Sequence, residues 1–248
     1  MRTTHLRHQL HLHRQKVIFS LVLVILLGIH FSAEAQKKKE FLRRHMENYE
    51  DKTLHFGFSF AAPLTRFNIT HSDAFVKNDT AINLTSPVQP GFRMLFVMNT
   101  RLSKRFDFRV TPGISIYGRS VDYYTKNRTE PITELRESTW AEFPFLVKYK
   151  SERRGNTRMY VVAGVRLGVE ANVRKKENPN FGRLTTKTRD VALEYGVGLE
   201  RFYQFFKFAP ELHFSHGIVN MLQPNSSAIG QNISKMTTHT VTLYLMFE

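Results

Sequence analysis

The sequence has no cysteine and only one long apolar run, and each scarcity excludes a class of protein. Without cysteine there is neither a disulfide framework nor the lipid-modified N-terminal cysteine of a lipoprotein. Because no second apolar run of about 20 residues follows the first, the sequence does not describe a helical membrane protein. That argument does not extend to a membrane β-barrel, whose strands are individually weak signals. A glycine-rich loop that would cradle phosphate is absent as well.

The N-terminal residues have the pattern of a secretory signal peptide. Four bases precede the uncharged run 17–29, namely Arg2, Arg7, Arg14 and Lys16. Ala33-Glu34-Ala35 then supplies an A-x-A cleavage site, so we predict a signal peptide over 1–35 and a mature chain from Gln36. The alternative is a retained membrane anchor, for which this run is short compared with a span of about 20 residues.

Acidic residues are few compared with basic ones. The chain has 36 Lys and Arg against 21 Asp and Glu, a formal net charge of +15. In an exported protein such a surplus suits an acidic surface, and we expect outer-membrane lipid and lipopolysaccharide as partners. Nucleic acid is not expected, because no basic and aromatic run resembles a nucleic-acid-binding module.

Residues 36–53 form a charged segment ahead of the first strand. Its apolar and aromatic residues share one side at helical spacing, and they are Phe41, Leu42, His45, Met46 and Tyr49. This spacing predicts a short amphipathic helix in a periplasmic N-terminal segment. The alternative is a frayed charged leader to the first strand.

From Leu54 onward the hydrophobic pattern has a period of two, which is typical of strands. In the clearest hairpin, Val191, Leu193 and Tyr195 alternate with Asp190, Ala192, Glu194 and Gly196. Eight segments show the pattern: 54–61, 92–99, 106–117, 140–150, 158–170, 190–200, 206–215 and 239–247.

The connections between these strands alternate in length. Long polar stretches occupy 63–87, 119–138, 173–189 and 218–236, whereas only 100–104, 151–156 and 202–204 join the other pairs. Outer-membrane barrels place long loops outside and short turns in the periplasm. We therefore predict an all-β, eight-stranded antiparallel up-and-down transmembrane β-barrel over 54–248, with both termini in the periplasm.

Alternation alone does not say whether the apolar face meets lipid or forms the core of a soluble barrel or sandwich. The opposite face carries charges of both signs: Arg93, Arg109, Arg166, Glu142, Glu170, Glu194, Glu200 and Glu211. Eight strands leave an interior just wide enough for side chains. We predict that these residues pair as a structural polar network in the lumen, because buried charges are tolerable only when paired. The strand lengths also match the roughly 9–11 residues of a tilted membrane strand.

Three prolines lie inside predicted strands, at Pro112, Pro144 and Pro210. Each removes a ladder donor, so we predict β-bulges at these positions.

The proline-bearing strands resemble a known family. The motifs are Thr111-Pro112-Gly113, Glu142-Phe143-Pro144-Phe145, Phe208-Ala209-Pro210-Glu211-Leu212, and Phe214-Ser215-His216-Gly217 with Asn220 and Leu222. They are similar to the PorT/SprT family of outer-membrane β-barrel proteins of Gram-negative bacteria. The resemblance implies a role in type IX secretion, which exports gliding-motility adhesins and proteases that carry a C-terminal signal. It implies partners among other secretion-system proteins and no catalytic residues.

Two other functions stay open for a small barrel. A lipid A-modifying enzyme would need a nucleophile with a base in reach, and His213, Ser215, His216 and His239 are the candidates. A surface adhesion barrel of the OmpX type is the second. We expect a non-enzymatic protein without metal or cofactor, since the remaining histidine pair, His11 and His13, lies in the predicted leader.

Overall fold

The computed structural model describes residues 44–76, 81–126, 130–171, 186–223 and 232–248. The predicted signal peptide, 1–35, lies outside the described residues, as do Phe41 and Leu42. Among the described residues no helix is long and apolar enough to span a membrane, a finding that does not bear on strands.

The structure is almost entirely antiparallel β-sheet. Its strands are β1 (Leu54–His71), β2 (Ala81–Thr85), β3 (Gln89–Arg101), β4 (Phe106–Val110), β5 (Gly113–Thr125), β6 (Ile132–Lys150), β7 (Thr157–Glu170), β8 (Arg189–Phe202), β9 (Lys207–Gly217) and β10 (Ile233–Phe247). A single helical turn, α1 (Asp73–Val76), follows β1.

Eight strand positions close into a ring, with β4 and β5 sharing one position. Neighbours in sequence are neighbours in the ring, and β1 closes it by pairing with β10 on one side and β3 on the other. The short β2 pairs with β5 outside the ring. The predicted eight-stranded up-and-down antiparallel fold is confirmed.

The two ends of the ring differ in their connections. The short turns 102–105, 151–156 and 203–206 define what we call the turn end, where β1 begins and β10 ends. The opposite loop end carries the connections 72–88, 126–131, 171–188 and 218–232.

Strands reach further toward the loop end than the apolar pattern indicates. β5 continues to Thr125 and β6 begins at Ile132, so their connection is 126–131 and not 119–138. The paired extension includes Asp122↔Thr133 and Arg119↔Arg136. In this extension the β5 residues that alternate with the buried Val121 and Tyr123 are Ser120, Asp122 and Tyr124, so the outward apolar row stops before the strands do.

The prediction of β-bulges at the three prolines is wrong. Pro112 interrupts the strand between β4 and β5, yet Val110 and Gly113 keep one register with both β3 and β6. The carbonyls of Pro112 and Pro144 still accept bonds, from Phe96 N at 2.8 Å and Thr111 N at 3.1 Å. Pro210 pairs in register with Leu245. A proline removes its own N–H from the ladder, and at Pro112 and Pro144 the carbonyl still accepts a hydrogen bond.

The predicted amphipathic helix is also wrong within the described part. Residues Glu47–Asp51 form one 3-10 turn, preceded by Met46 with a φ of 51°. That left-handed residue bends the chain so that Tyr49 turns back over the barrel mouth, which a continuous α-helix does not allow.

Apolar side chains lie outside the ring and charged ones inside. The outward residues Val197 and Leu243 are 55% and 50% exposed, whereas the inward Arg93, Arg109 and Glu200 are 0% exposed. On β7 the outward apolar row runs from Met159 to Val169, long enough for a tilted membrane strand. The alternative in which these rows form a soluble core is therefore wrong.

Candidate functional site in the barrel lumen

The lumen is filled by every second side chain of the eight strand positions. Seven cations are each paired with a carboxylate there: Arg93, Arg109, Lys148, Lys150, Arg158, Arg166 and Lys207. We call this set with its acids the lumen network. The acids of this network form three successive centres along the lumen. At each centre the carboxylates accept hydrogen bonds from donors on several strands.

The first centre is the Glu142 carboxylate on β6. It accepts from Ser115 Oγ at 2.5 Å, from Tyr117 Oη at 2.8 Å and from Arg166 Nη1 at 2.5 Å. Arg93 Nε lies 2.9 Å from its second oxygen. Two guanidinium groups and two hydroxyls thus satisfy one buried carboxylate, as its burial requires.

The second centre joins Glu211 and Glu194 through His213. Arg109 Nη1 donates to Glu211 at 2.5 Å, and Tyr160 Oη donates to the same oxygen. The His213 ring meets Glu194 at 2.8 Å through Nδ1 and Glu211 at 2.6 Å through Nε2. Only a ring with a proton on each nitrogen donates to both carboxylates.

Tyr160 fits this centre because β8 carries a glycine beside its ring. A Cβ atom at Gly198 would lie 2.4 Å from Cζ of Tyr160. The glycine therefore lets the tyrosine lie flat across the lumen, where Arg109 and Lys148 pack over its face at 5.6 and 4.1 Å from the ring centre.

The third centre is Glu200 near the turn end. Lys148 donates to its Oε1, as does Lys207 at 3.0 Å, and Arg158 Nε donates to Oε2 at 2.7 Å. Lys207 also reaches Glu248 at 2.7 Å, and Asn99 donates to Glu248 at 2.6 Å. The network therefore continues to the end of β10.

The N-terminal segment closes the turn end. Tyr49 Oη donates to Glu248 at 2.7 Å and accepts from Lys207 at 2.5 Å, while its ring stacks on His55 at 3.8 Å. Arg101 donates to the carbonyl of Glu50. Burial raises the pKa of the Tyr49 phenol; Glu248 and Glu200 add to this effect, and Lys207 opposes it.

An apolar cluster fills the loop end of the lumen. Its buried members are Phe67, Leu84, Tyr117, Val121, Tyr123, Trp140, Met221, Ile233 and Met236. β2 contributes Leu84 to this cluster. Although β2 is not part of the ring, it therefore packs against the loop end of the lumen. The lumen is consequently polar in its middle and closed by packed side chains at both ends.

The structure brings together the three arginines and three of the glutamates that we predicted to pair. Arg93 and Arg166 meet Glu142, Arg109 meets Glu211, and Arg166 lies 3.9 Å from Glu194. Glu200 is paired with the lysines and Arg158 instead of the predicted arginines. Glu170 is buried at the loop end of β7, outside the three centres.

Several network residues were missed by the sequence reasoning although the pattern contains them. Tyr117, Tyr160, Tyr244, Lys148, Arg158, Lys207 and His213 all occupy inward positions of the period-two pattern. Strand parity therefore identifies them. Glu248 directly follows β10 and continues its inward row of Tyr244 and Met246, whereas the strand pattern does not identify Tyr49, which enters the lumen from outside the strands.

The four candidate enzyme residues lie on opposite faces of the wall. His213 and Ser215 are buried in the lumen, whereas His216 Nε2 meets the exposed Tyr195 Oη at 3.0 Å and His216 Nδ1 meets His239 Nε2 at 3.2 Å on the outer wall. The described residues thus do not assemble the four into one site. Nor do they include a group of three His, Cys, Asp or Glu side chains placed to hold a metal ion.

The geometry makes the lumen a packed plug. Transferring charged groups from water into a buried site costs free energy. The attraction between opposite charges offsets this cost only when the geometry is good and the hydrogen bonds are satisfied. Because charges are paired at each depth and aromatic residues close both ends, the described lumen offers no aqueous path for a large solute.

Residues 34–223 match the family model described as "Outer membrane protein beta-barrel domain". No curated protein sequence matches the chain significantly.

Several solved structures match the chain at low similarity. OprG from Pseudomonas aeruginosa matches with a TM-score of 0.45 and 10% identity over 78% of this chain and 92% of that one. Neisserial surface protein A matches with a TM-score of 0.40 and 7% identity, over 79% and 98% of the two chains. The outer membrane enzyme PagL matches with a TM-score of 0.38 and 10% identity, over 76% and 97%. The fold assignment rests on the strand pairing described above.

Proposed function

The chain belongs to the family of outer-membrane β-barrel domain proteins, and from this premise we propose that it is a non-enzymatic component of type IX protein secretion. In this role it supports the export of proteins with a C-terminal signal, such as gliding-motility adhesins or proteases. The finer assignment rests on the motifs that resemble the PorT/SprT family.

Two of these motifs supply the acids at the centre of the lumen network. Glu142 lies in the Glu-Phe-Pro-Phe motif of β6, and Glu211 follows Pro210 in β9. Both carboxylates are buried and each meets an arginine at 2.5 Å. The motif residues thus have a structural role, which supports a protein whose function depends on a rigid, filled barrel.

The packed lumen is the observation that carries the proposal of an accessory role. A folded or extended cargo chain does not fit through an interior filled by paired charges. Cargo would therefore cross the membrane through a partner protein, and this barrel would work through its surfaces. The loop end, the turn end with residues 44–53 and the outer wall are available for such contacts.

We propose that the turn end faces the periplasm and that residues 1–35 are a cleaved signal peptide. Short turns and both strand termini lie at one end, which is the periplasmic arrangement of outer-membrane barrels. Residues 36–53 would then be presented to periplasmic partners of the secretion machine.

The outer wall supports contact with acidic membrane lipid, including lipopolysaccharide. Along β1, β10 and β9 the apolar band ends at Arg66, whose register partner on β10 is His239, and at His216, which is the register partner of His239 on β9. Lys235 lies farther toward the loop end of β10. Bases just above an apolar band are placed to meet lipid phosphate groups.

The experiment that tests the secretion proposal is a gene deletion with complementation. We expect proteins with C-terminal sorting signals to disappear from the medium of the deletion strain and to return with the wild-type gene. If these proteins still reach the medium at wild-type levels, the secretion role is wrong. Export that stays intact while surface attachment is lost would assign the barrel to adhesion.

The outward histidines favour one second candidate, a lipid A-modifying enzyme. His216 contacts both Tyr195 and His239 on the lipid-facing side of β8 to β10. In the same deletion strain, complementation with the His216→Gln/His239→Gln double variant separates the two functions. Under our proposal the deletion leaves the lipid A mass spectrum unchanged, and this variant restores secretion. If the deletion instead changes lipid A and the variant fails to reverse that change, the barrel is a lipid A-modifying enzyme.

A further inference from the structure

The outer wall near the loop end carries opposite charges on its two sides. On β1, β8 and β10 it presents Arg66, Arg189 and Lys235, which are exposed and form no ion pair within the described part of the chain. The acids of β8 and β9 are all buried in the lumen, namely Asp190, Glu194, Glu200 and Glu211, and β1 and β10 contain no acid. On the opposite side, β5 and β6 present Asp122 and Glu137. We call the side formed by β8, β9, β10 and β1 the basic wall.

The first row of the basic wall crosses three strands. Arg66 on β1 is the register partner of His239 on β10, and His239 is the register partner of His216 on β9. Side chains that lie directly opposite each other on one face of antiparallel strands have Cβ atoms about 5 Å apart. An anion that meets His239 is therefore within reach of the Arg66 guanidinium.

A chain of hydrogen bonds orients the histidines of this row. Tyr195 Oη lies 3.0 Å from His216 Nε2, and His216 Nδ1 lies 3.2 Å from His239 Nε2. When Tyr195 donates to His216 and His216 donates to His239, the proton of neutral His239 is on Nδ1. No described residue accepts a hydrogen bond from this nitrogen. The chain thus leaves one N–H donor beside Arg66, and a bound anion favours this donor order over its reverse.

A second row of bases lies nearer the loop end. On β10, Lys235 is four residues from His239. On β8, Arg189 is four residues from Leu193, which pairs in register with His216. Because a strand rises about 3.4 Å per residue, the two rows are about 14 Å apart along the strands. The basic wall therefore has two separate groups of cations and donors, one above the other.

Apolar side chains continue the wall below the first row. Leu64, Val241 and Phe214 are register partners on β1, β10 and β9, two residues nearer the turn end. They belong to the outward rows that meet acyl chains in the membrane. A ligand held by the two basic rows would extend a hydrocarbon part over this apolar surface.

We propose that the basic wall binds one molecule of lipid A through its two phosphate groups. Arg66 and the His239 N–H take one phosphate, and Arg189 and Lys235 take the other. Lipid A carries its phosphates at the two ends of a disaccharide, so two separate rows match it better than a lipid with one phosphate. This inference rests on the proposed orientation with the loop end outside, and it narrows the acidic lipid partner to one headgroup. It does not depend on the role in secretion.

Native mass spectrometry of the protein purified in detergent measures this binding. Diphosphoryl lipid A is the ligand, and monophosphoryl lipid A and phosphatidylglycerol are probes with a single phosphate. We expect one diphosphoryl lipid A per barrel, bound at least about tenfold more tightly than either probe, because each base near a lipid surface contributes about fivefold. The bound lipid should keep its mass. Equal affinity for the three lipids, or a bound lipid that has lost an acyl chain or a phosphate, would overturn the proposal.

Variants identify the bases that hold the lipid. Arg189→Gln/Lys235→Gln removes the second row and should abolish the preference for two phosphates, while monophosphoryl lipid A still binds. Lys104→Gln/Arg154→Gln removes two exposed bases at the turn end and should leave both affinities unchanged. If the first double variant does not fold, Lys235→Gln alone should lower the preference about fivefold.

Two results with these variants would refute the site. A preference that survives removal of the second row would show that the second row does not hold a phosphate. An equal loss in the turn-end variant would show that net charge holds the lipid. Since the assay uses purified protein, intact secretion in the deletion strain would refute the secretion role and leave the lipid result unaffected.

Discussion

At Glu142 the donors of three strands converge on one carboxylate. Ser115 and Tyr117 come from β5, Arg93 from β3 and Arg166 from β7. The period-two alternation along each strand places Glu142 and the two arginines on the same face of the sheet, but it does not select partners among several acids at similar depth. Partner choice depends on strand stagger and side-chain reach, and only the tertiary structure supplies both.

The first prediction concerns this carboxylate. Glu142→Gln removes the charge that neutralises two buried guanidinium groups, and we expect it to lower the free energy of unfolding by about 3–5 kcal/mol. Urea unfolding in detergent or lipid vesicles, followed by Trp140 fluorescence, measures the change. The matched control is Glu152→Gln, since Glu152 is exposed and pairs with the exposed Arg105 at 3.2 Å. It should stay within about 0.5 kcal/mol of wild type, and equal stability of both variants would contradict the role assigned to Glu142.

At the scale of elements, the strands were predictable in number and order but not in length. The apolar rows predict eight strands, because eight segments show outward residues alternating with inward ones. Each row covers about 9–11 positions, the length of a strand that crosses a membrane. Beyond this band, as in the β5–β6 hairpin, the outward apolar row ends although Val121 and Tyr123 stay buried inside, and the signal stops before the strands do. The N-terminal segment illustrates a second limit. Its helical spacing predicts an α-helix, but its contacts with the barrel mouth favour a 3-10 turn.

The second prediction concerns that segment and its tyrosine. Because the folded state raises the pKa of Tyr49, its contribution to stability is fully present below the ordinary phenol pKa of about 10 and is lost as the pH rises above that value. Above about pH 10 the free energy of unfolding of Tyr49→Phe should fall less steeply than that of wild type, by up to about 1.4 kcal/mol per pH unit. Urea midpoints measured from about pH 8 to about pH 11 give the two slopes.

Tyr203→Phe serves as the control for this comparison. Tyr203 is exposed in the turn between β8 and β9, so its variant should keep the wild-type slope. Parallel pH curves for wild type and Tyr49→Phe would show that the phenol does not titrate with folding.

At the scale of the whole molecule, the barrel reverses the distribution of a soluble protein. Large apolar side chains cover the outer wall, while ion pairs occupy the interior. In water such an arrangement would leave the apolar surface hydrated, whereas in a bilayer the same surface meets acyl chains. The family match and the direction of the apolar rows therefore agree on an outer-membrane location.

The third prediction tests the outer wall. Leu243→Arg places a charge on the lipid-facing side of β10, and we expect a loss of about 2–4 kcal/mol in lipid bilayers. Thr70→Arg adds the same side chain on β1 beside Lys235, beyond the apolar band, and should change stability by less than about 0.5 kcal/mol. Reversible unfolding in lipid vesicles compares the two. Equal costs would mean that the apolar rows do not lie in the hydrocarbon region.

The amino-acid sequence by itself determined the strand order, the apolar and the polar face of each strand and the alternation of turns and loops. These features follow from the period-two hydrophobic pattern, because that pattern can be read from residues that are neighbours in the sequence. The direction of curvature, which places Arg93 inside and Val197 outside, depended on closure of the ring. So did the convergence of Tyr49, Lys207 and Glu248, because these residues are distant in sequence and meet only when all eight strand positions are in place.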